Sequence, residues 1–107
     1  MNTFKLHTRF VDNIECYIEN IGSTDAPRYC AKSVATDEPM MVLNIPGYND
    51  KDFLAFKDYN ENQGLIKCLI DEGLIEDFIY SKEKVNYVEL ETHKITDKFR
   101  ECIKWIL

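Results

Sequence analysis

Apolar and polar residues alternate from the start of the chain. Phe4, Leu6, Thr8 and Phe10 fall on one side of an extended backbone and Lys5, His7 and Arg9 on the other, which is the period of a half-buried strand. Ile14, Cys16 and Ile18 repeat the pattern, with Glu15, Tyr17 and Glu19 opposite. A three-residue loop, Val11-Asp12-Asn13, would set Phe10 against Ile14, Thr8 against Cys16 and Leu6 against Ile18. Arg9 would then meet Glu15, His7 would meet Tyr17 and Lys5 would meet Glu19. A two-residue loop would oppose Phe10 and Glu15, so side-chain parity selects the longer loop, with Asn13 in its left-handed position.

Beyond the turn-rich stretch Gly22-Ser23-Thr24-Asp25-Ala26-Pro27, residues 28–35 and 40–45 read as a second hairpin around Thr36-Asp37-Glu38-Pro39. Both faces are largely apolar, which predicts central strands. Pro46-Gly47 stops the run, residues 48–52 form an exposed loop, and Phe53-Leu54-Ala55-Phe56 is long enough for a fifth strand. Between Asn62 and Glu72 the apolar positions Leu65, Ile66, Cys68, Leu69 and Ile70 cover a wide helical arc, and Gly73 is placed to cap that helix in a left-handed conformation. Residues 78–80 and 85–91 are weaker strands separated by the charged turn Ser81-Lys82-Glu83-Lys84. Thr96 caps a last helix with Phe99, Cys102, Ile103 and Ile106 along one stripe. The expected fold is a single α+β domain over residues 1–107, a mainly antiparallel sheet of about five to six strands with two helices, the second at the C-terminus.

Charge narrows the function. Against 13 basic residues stand 19 acidic ones, a net −6 that is opposite in sign to the footprint of a phosphate-backbone binder, so no direct contact with nucleic acid is expected. No apolar run reaches the roughly 18–20 residues of a membrane span, and the opening Met1-Asn2-Thr3-Phe4-Lys5 builds no signal-peptide core. The expectation is a cytoplasmic protein without membrane contact. Cys16, Cys30, Cys68 and Cys102 have no zinc-type spacing, and each lies where an apolar face is expected, so they read as buried thiols.

Asp58-Tyr59-Asn60-Glu61-Asn62-Gln63-Gly64 opens like a calcium loop, but the required sixth-position glycine and twelfth-position glutamate are Gln63 and Leu69. Asp58, Asn60 or Asn62 is instead expected to satisfy free N–H groups at the start of the following helix. The acidic pairs Asp71-Glu72, Glu76-Asp77 and Glu89-x-Glu91 read as solvated faces, and His7 and His93 as surface histidines, the sequence leaving open whether His93 approaches a cysteine. Gly22, Gly47, Gly64 and Gly73 begin no phosphate-binding pattern. Neither an enzyme nor a cofactor or metal is expected. What remains are surface residues suited to protein contacts: Tyr48, Asn49 and Asp50 in the Pro-Gly loop, Asp58 and Asn60 in the polar loop, and Trp105 at the margin of the last helix.

Glu38-Pro39-Met40-Met41-Val42-Leu43-Asn44-Ile45-Pro46-Gly47, Ala55-Phe56-Lys57-Asp58-Tyr59-Asn60-Glu61-Asn62 and Leu69-Ile70-Asp71-Glu72-Gly73-Leu74-Ile75 together carry a resemblance. Over residues 28–75 the chain resembles a family of small uncharacterised proteins of Gram-positive conjugative elements, plasmids and prophages. Ile45 stands where that family usually has leucine, Glu61 separates the two asparagines, and the tail from residue 80 lacks the family's Ser-Gly and Tyr-Pro segment. The resemblance implies a setting rather than an activity. Small accessory genes of that setting often encode inhibitors of bacterial defence, including anti-CRISPR proteins, so a nucleic-acid-processing defence effector is the expected partner. A small-ligand binder, for a nucleotide or signal, and a homo-oligomeric structural protein or homodimer are the alternative expectations.

Overall fold

A computed structural model describes residues 2–46 and 52–104. In chain order the elements are β1 (Phe4–Leu6), β2 (Ile14–Asn20), β3 (Tyr29–Ser33), β4 (Pro39–Val42), β5 (Phe53–Phe56), α1 (Leu65–Asp71), β6 (Ile75–Val85), β7 (Val88–Ile95) and α2 (Asp97–Glu101). A 3-10 turn, Asn60–Asn62, precedes α1. The fold is α+β, with its strands divided between two antiparallel sheets: a four-stranded one in the order β1-β2-β3-β4 and a three-stranded one in the order β5-β7-β6. Among the described residues, seven strands thus replace the expected five to six, and two sheets replace one.

The first hairpin forms in a different register. Phe4 pairs with Cys16, Lys5 with Glu15 and Leu6 with Ile14, so the connection runs over residues 7–13 rather than 11–13. The shift is an even number of residues, so the apolar faces still coincide and Lys5 still meets an acid, Glu15, at 3.7 Å. Residues 7–9 leave the ladder because the start of α1 captures them: Arg9 N–H donates to the Gln63 carbonyl at 3.0 Å, and His7 N–H contacts Cys68 Sγ at 3.4 Å. Gly64, at φ +96°, makes this approach possible, since a Cβ there would stand 3.3 Å from the Arg9 nitrogen. Phe10 is left 64% exposed, whereas Asn13 does adopt the left-handed conformation, at φ 49°.

The second hairpin forms around residues 34–38 with β3 inside its sheet, but β4 is the last strand rather than a central one. Its apolar character has another cause. The chain beyond β4 pairs onward with β5, through Ile45 N–H to the Ala55 carbonyl at 3.0 Å and Lys57 N–H to the Leu43 carbonyl at 2.9 Å, and this stitches the two sheets together. On the opposite flank, β1 is too short to cover β2. Residues 102–104 take its place, with Ile18 N–H donating to the Cys102 carbonyl at 2.8 Å and Lys104 N–H to the Ile18 carbonyl at 2.7 Å.

Between the sheets and helices lies one apolar cluster containing Leu6, Ile18, Leu43, Phe56, Leu65, Leu69 and Phe99. Phe99 meets Tyr29 edge-on at 5.2 Å and Phe56 at 6.5 Å, so α2 anchors both sheets through a single ring. Thr96 caps α2 as expected, its Oγ1 accepting from Phe99 N–H at 3.3 Å. Gly73, at φ +75°, ends α1: its N–H donates to Ile70 and the Leu74 N–H to Leu69, at 3.0 and 2.8 Å. All four cysteines are buried free thiols, and burial pushes Cys16 up to about 12, reinforced by the neighbouring Cys68 and Cys30.

Candidate interaction surface

Three polar side chains between residues 28 and 75, those of Asn44, Asn62 and Asp58, are committed to the fold. Asn44, 1% exposed, accepts from Tyr29 N–H through Oδ1 at 2.8 Å and donates from Nδ2 to the Pro27 carbonyl at 3.0 Å. Asn62 donates to the Val42 carbonyl at 2.6 Å. Asp58 is half-buried, and its two carboxylate oxygens accept from Gly64 N–H at 2.9 Å and Ile66 N–H at 2.8 Å. Because Gly64, the residue heading α1, has no side chain, Asp58 supplies the cap from six positions upstream. Of the residues expected to carry contacts, Asp58 is thus occupied by the fold, and Asn60 is exposed at φ 53° beside it. Tyr48, Asn49, Asp50 and Trp105 lie outside the described residues.

The surface that stands out is the β6–β7 hairpin. Its turn lies at Asn86-Tyr87, not at Ser81–Lys84, and the charged residues read as a turn form strand instead. They do so because their partners are complementary: Lys82 pairs with Glu91 and Lys84 with Glu89, and Lys82 Nζ reaches Glu89 Oε1 diagonally at 3.4 Å. Asn86 supplies the left-handed turn residue at φ 56°.

At its base the hairpin is irregular, with register shifts between Ile75 and Ile79 and between Ile79 and Ser81. His93 secures this stretch. It is 1% exposed, a correction to the expected surface histidine, and its Nδ1 lies 2.7 Å from the Glu76 carbonyl and its Nε2 3.1 Å from Glu91 Oε1. A carbonyl only accepts, so Nδ1 carries the hydrogen in that contact. A backbone oxygen displaced from the regular ladder thereby gains a buried partner.

From Glu76 outward, β6 is exposed along almost its whole length. Phe78 is 73% exposed, Tyr80 58% and Tyr87 100%, with the Tyr80 ring leaning on Phe53 at 4.2 Å. An open groove of about 520 Å³ runs between this hairpin and α1, lined by Asp58, Asp71, Asp77, Glu89 and Glu91 with Ile66, Ile70 and Lys67. Lys67 is paired with Asp71 at 2.8 Å. The groove lining therefore holds five carboxylates to one lysine and the hairpin tip is a bare aromatic, a combination suited to a basic macromolecular surface.

Sequence reasoning missed Phe78, Tyr80 and Tyr87. The alternation Lys82-Glu83-Lys84 against Glu89-Leu90-Glu91 was the available signal for one long hairpin, and a hairpin centred on Asn86-Tyr87 necessarily puts Tyr87 at the tip. Among the described residues, no helix is long and apolar enough to cross a membrane. Comparison with protein-family models, curated proteins and solved structures finds no significant match for the chain.

Proposed function

We propose that this chain is a non-enzymatic, cytoplasmic accessory protein of a phage or mobile element that binds and inhibits a bacterial defence protein, an anti-CRISPR type of activity. The observation that carries the reading is the β6–β7 hairpin, with the fully exposed Tyr87 at its tip and Asp77, Glu89 and Glu91 along the adjacent groove. Exposed aromatics are favoured binding anchors, and carboxylates along a groove complement the basic channel through which a nuclease-type effector holds its nucleic acid. The net charge of −6 gives the same direction of steering, and the resemblance over residues 28–75 supplies the biological setting.

The test is capture from a lysate containing bacterial defence complexes, with the purified protein as bait. A nucleic-acid-processing effector should stay bound through a moderate salt wash and be released by added competitor nucleic acid. Replacing Tyr87 with Ala, Asp77 with Asn and Glu89 with Gln, with Glu91 kept because it contacts the buried His93, should weaken that capture at least tenfold without changing the circular dichroism spectrum. Undiminished capture by the triple variant would remove the proposed surface.

A further inference from the structure

β6 ends the order β5-β7-β6, so its outer edge has no strand beside it among the described residues. It is also long, Ile75–Val85, and carries the consecutive residues Phe78, Ile79 and Tyr80 at 73%, 38% and 58% exposure. A long edge with exposed apolar residues is a template for another strand; of the devices that ordinarily blunt such an edge β6 carries the register shifts against β7 around Ile79, while Phe78-Ile79-Tyr80-Ser81 holds neither proline nor charge. The occupant can be read from β6 itself.

When two identical strands pair antiparallel, the symmetry axis must carry every residue pair onto an equivalent pair. Neighbouring pairs alternate between hydrogen-bonded and non-hydrogen-bonded, so the axis must pass through a residue that faces its own copy. Centring on Tyr80 would set Asp77 against Glu83 and Phe78 against Lys82. With Ser81 at the centre, Ile79 would meet Glu83, and with Lys82 there two lysines would face each other. With Ile79 on the axis, Phe78 faces Tyr80, Asp77 faces Ser81 and Glu76 faces Lys82. In that register apolar meets apolar, acid meets base, and no like charges are opposed among these pairs.

We propose that two copies of this chain associate through antiparallel pairing of their β6 strands with Ile79 on the two-fold axis. The pairing covers Phe78 and Tyr80 and takes in Asp77 at the margin of the acidic groove, and it leaves Tyr87, Glu89 and Glu91 to other contacts, so its test is separate from that of the inhibitor reading.

Sedimentation equilibrium at rising concentration should show a reversible monomer–dimer transition. Lys82→Glu sets acid against acid twice in the dimer and should raise the dissociation constant about tenfold. Adding Glu76→Lys should restore dimerisation. That rescue is specific to contact between copies, because Glu76 and Lys82 of one strand are about 20 Å apart. Under mild oxidation Ile79→Cys should cross-link two copies, while Lys84→Cys should not, since only residue 79 faces itself. A monomer at every concentration, a charge swap that fails to rescue, or equal cross-linking at both positions would each overturn the proposal.

Discussion

The body of the molecule and the β6–β7 hairpin handle misplaced residues in opposite ways. In the body the polar residues drawn inward have partners: the buried Asn44 and Asn62 hold backbone groups of neighbouring segments, the buried Ser33 hydroxyl accepts from Thr36 N–H at 3.4 Å, and the half-buried Asp58 caps α1, while the exposed Phe10 ring lies 5.4 Å from the Arg9 guanidinium. In the hairpin the exceptions are apolar residues in solvent, Phe78 and Tyr87 above all, and no packing within the described fold accounts for their exposure. Buried polar groups with full partners explain themselves as structure. Exposed aromatics at a sheet edge and at a projecting hairpin tip are better explained by something outside the chain.

If that division is right, substitutions should separate into those that damage stability and those that do not. The largest loss belongs to Phe99→Ala, which empties the ring contacting both sheets and should cost about 3–5 kcal/mol, read as a fall in the urea midpoint. Asn44→Leu comes next. It leaves Tyr29 N–H and the Pro27 carbonyl without their side-chain partner and should cost about 1–3 kcal/mol in the same titration.

Alkaline pH should weaken the body before it affects the hairpin. Cys16 is pushed from an ordinary 9.0 up to about 12 by burial, so from about pH 9 the unfolded chain loses this proton while the folded one keeps it. The unfolded state then binds fewer protons, and stability contributed by the buried thiol is present below pH 9 and declines as pH rises toward about 12. Urea midpoints measured on that interval should fall for the wild type and fall less steeply for Cys16→Ala, compared each with its own value near neutrality.

At the small end, Asn86→Gly should stay within about 1 kcal/mol of the wild type because glycine tolerates the left-handed turn, whereas Asn86→Val should be clearly worse in thermal melts. Tyr87→Ala should change stability by no more than about 0.5 kcal/mol, since the side chain is fully exposed. A Tyr87→Ala loss as large as that of Asn44→Leu would break the comparison.

How much of this was readable in the sequence depended on whether the deciding contacts were local. The alternation of β2, the start of β1 and the cap motifs at Gly73 and Thr96 are local, and they appear where the pattern puts them, whereas the expected strand beyond Leu6 does not form. The register of the first hairpin is not, because it is decided by Gln63 and Cys68, which take His7 and Arg9 out of the ladder. The Ser81–Lys84 charges resemble a turn until they are set against Glu89 and Glu91. Asp58 was legible as a cap, whereas the exposure of Phe78 and Tyr80 reflects which side of β6 is left without a neighbour, a property of sheet order rather than of any short window. The burial of His93 likewise rests on a carbonyl 17 positions away.

The central claim is that the exposed part of the hairpin, Tyr87 with the carboxylates of the adjacent groove, serves recognition rather than the stability of the fold. Its most direct test is a paired measurement on the Tyr87→Ala, Asp77→Asn, Glu89→Gln triple variant, which leaves the Glu91 contact with His93 in place: thermal stability, and retention of a bacterial defence effector from lysate beside the wild type. The account predicts a melting temperature close to that of the wild type together with loss of effector retention. A variant that retains the effector as well as the wild type does, or one that loses it only because it has unfolded, would contradict the claim.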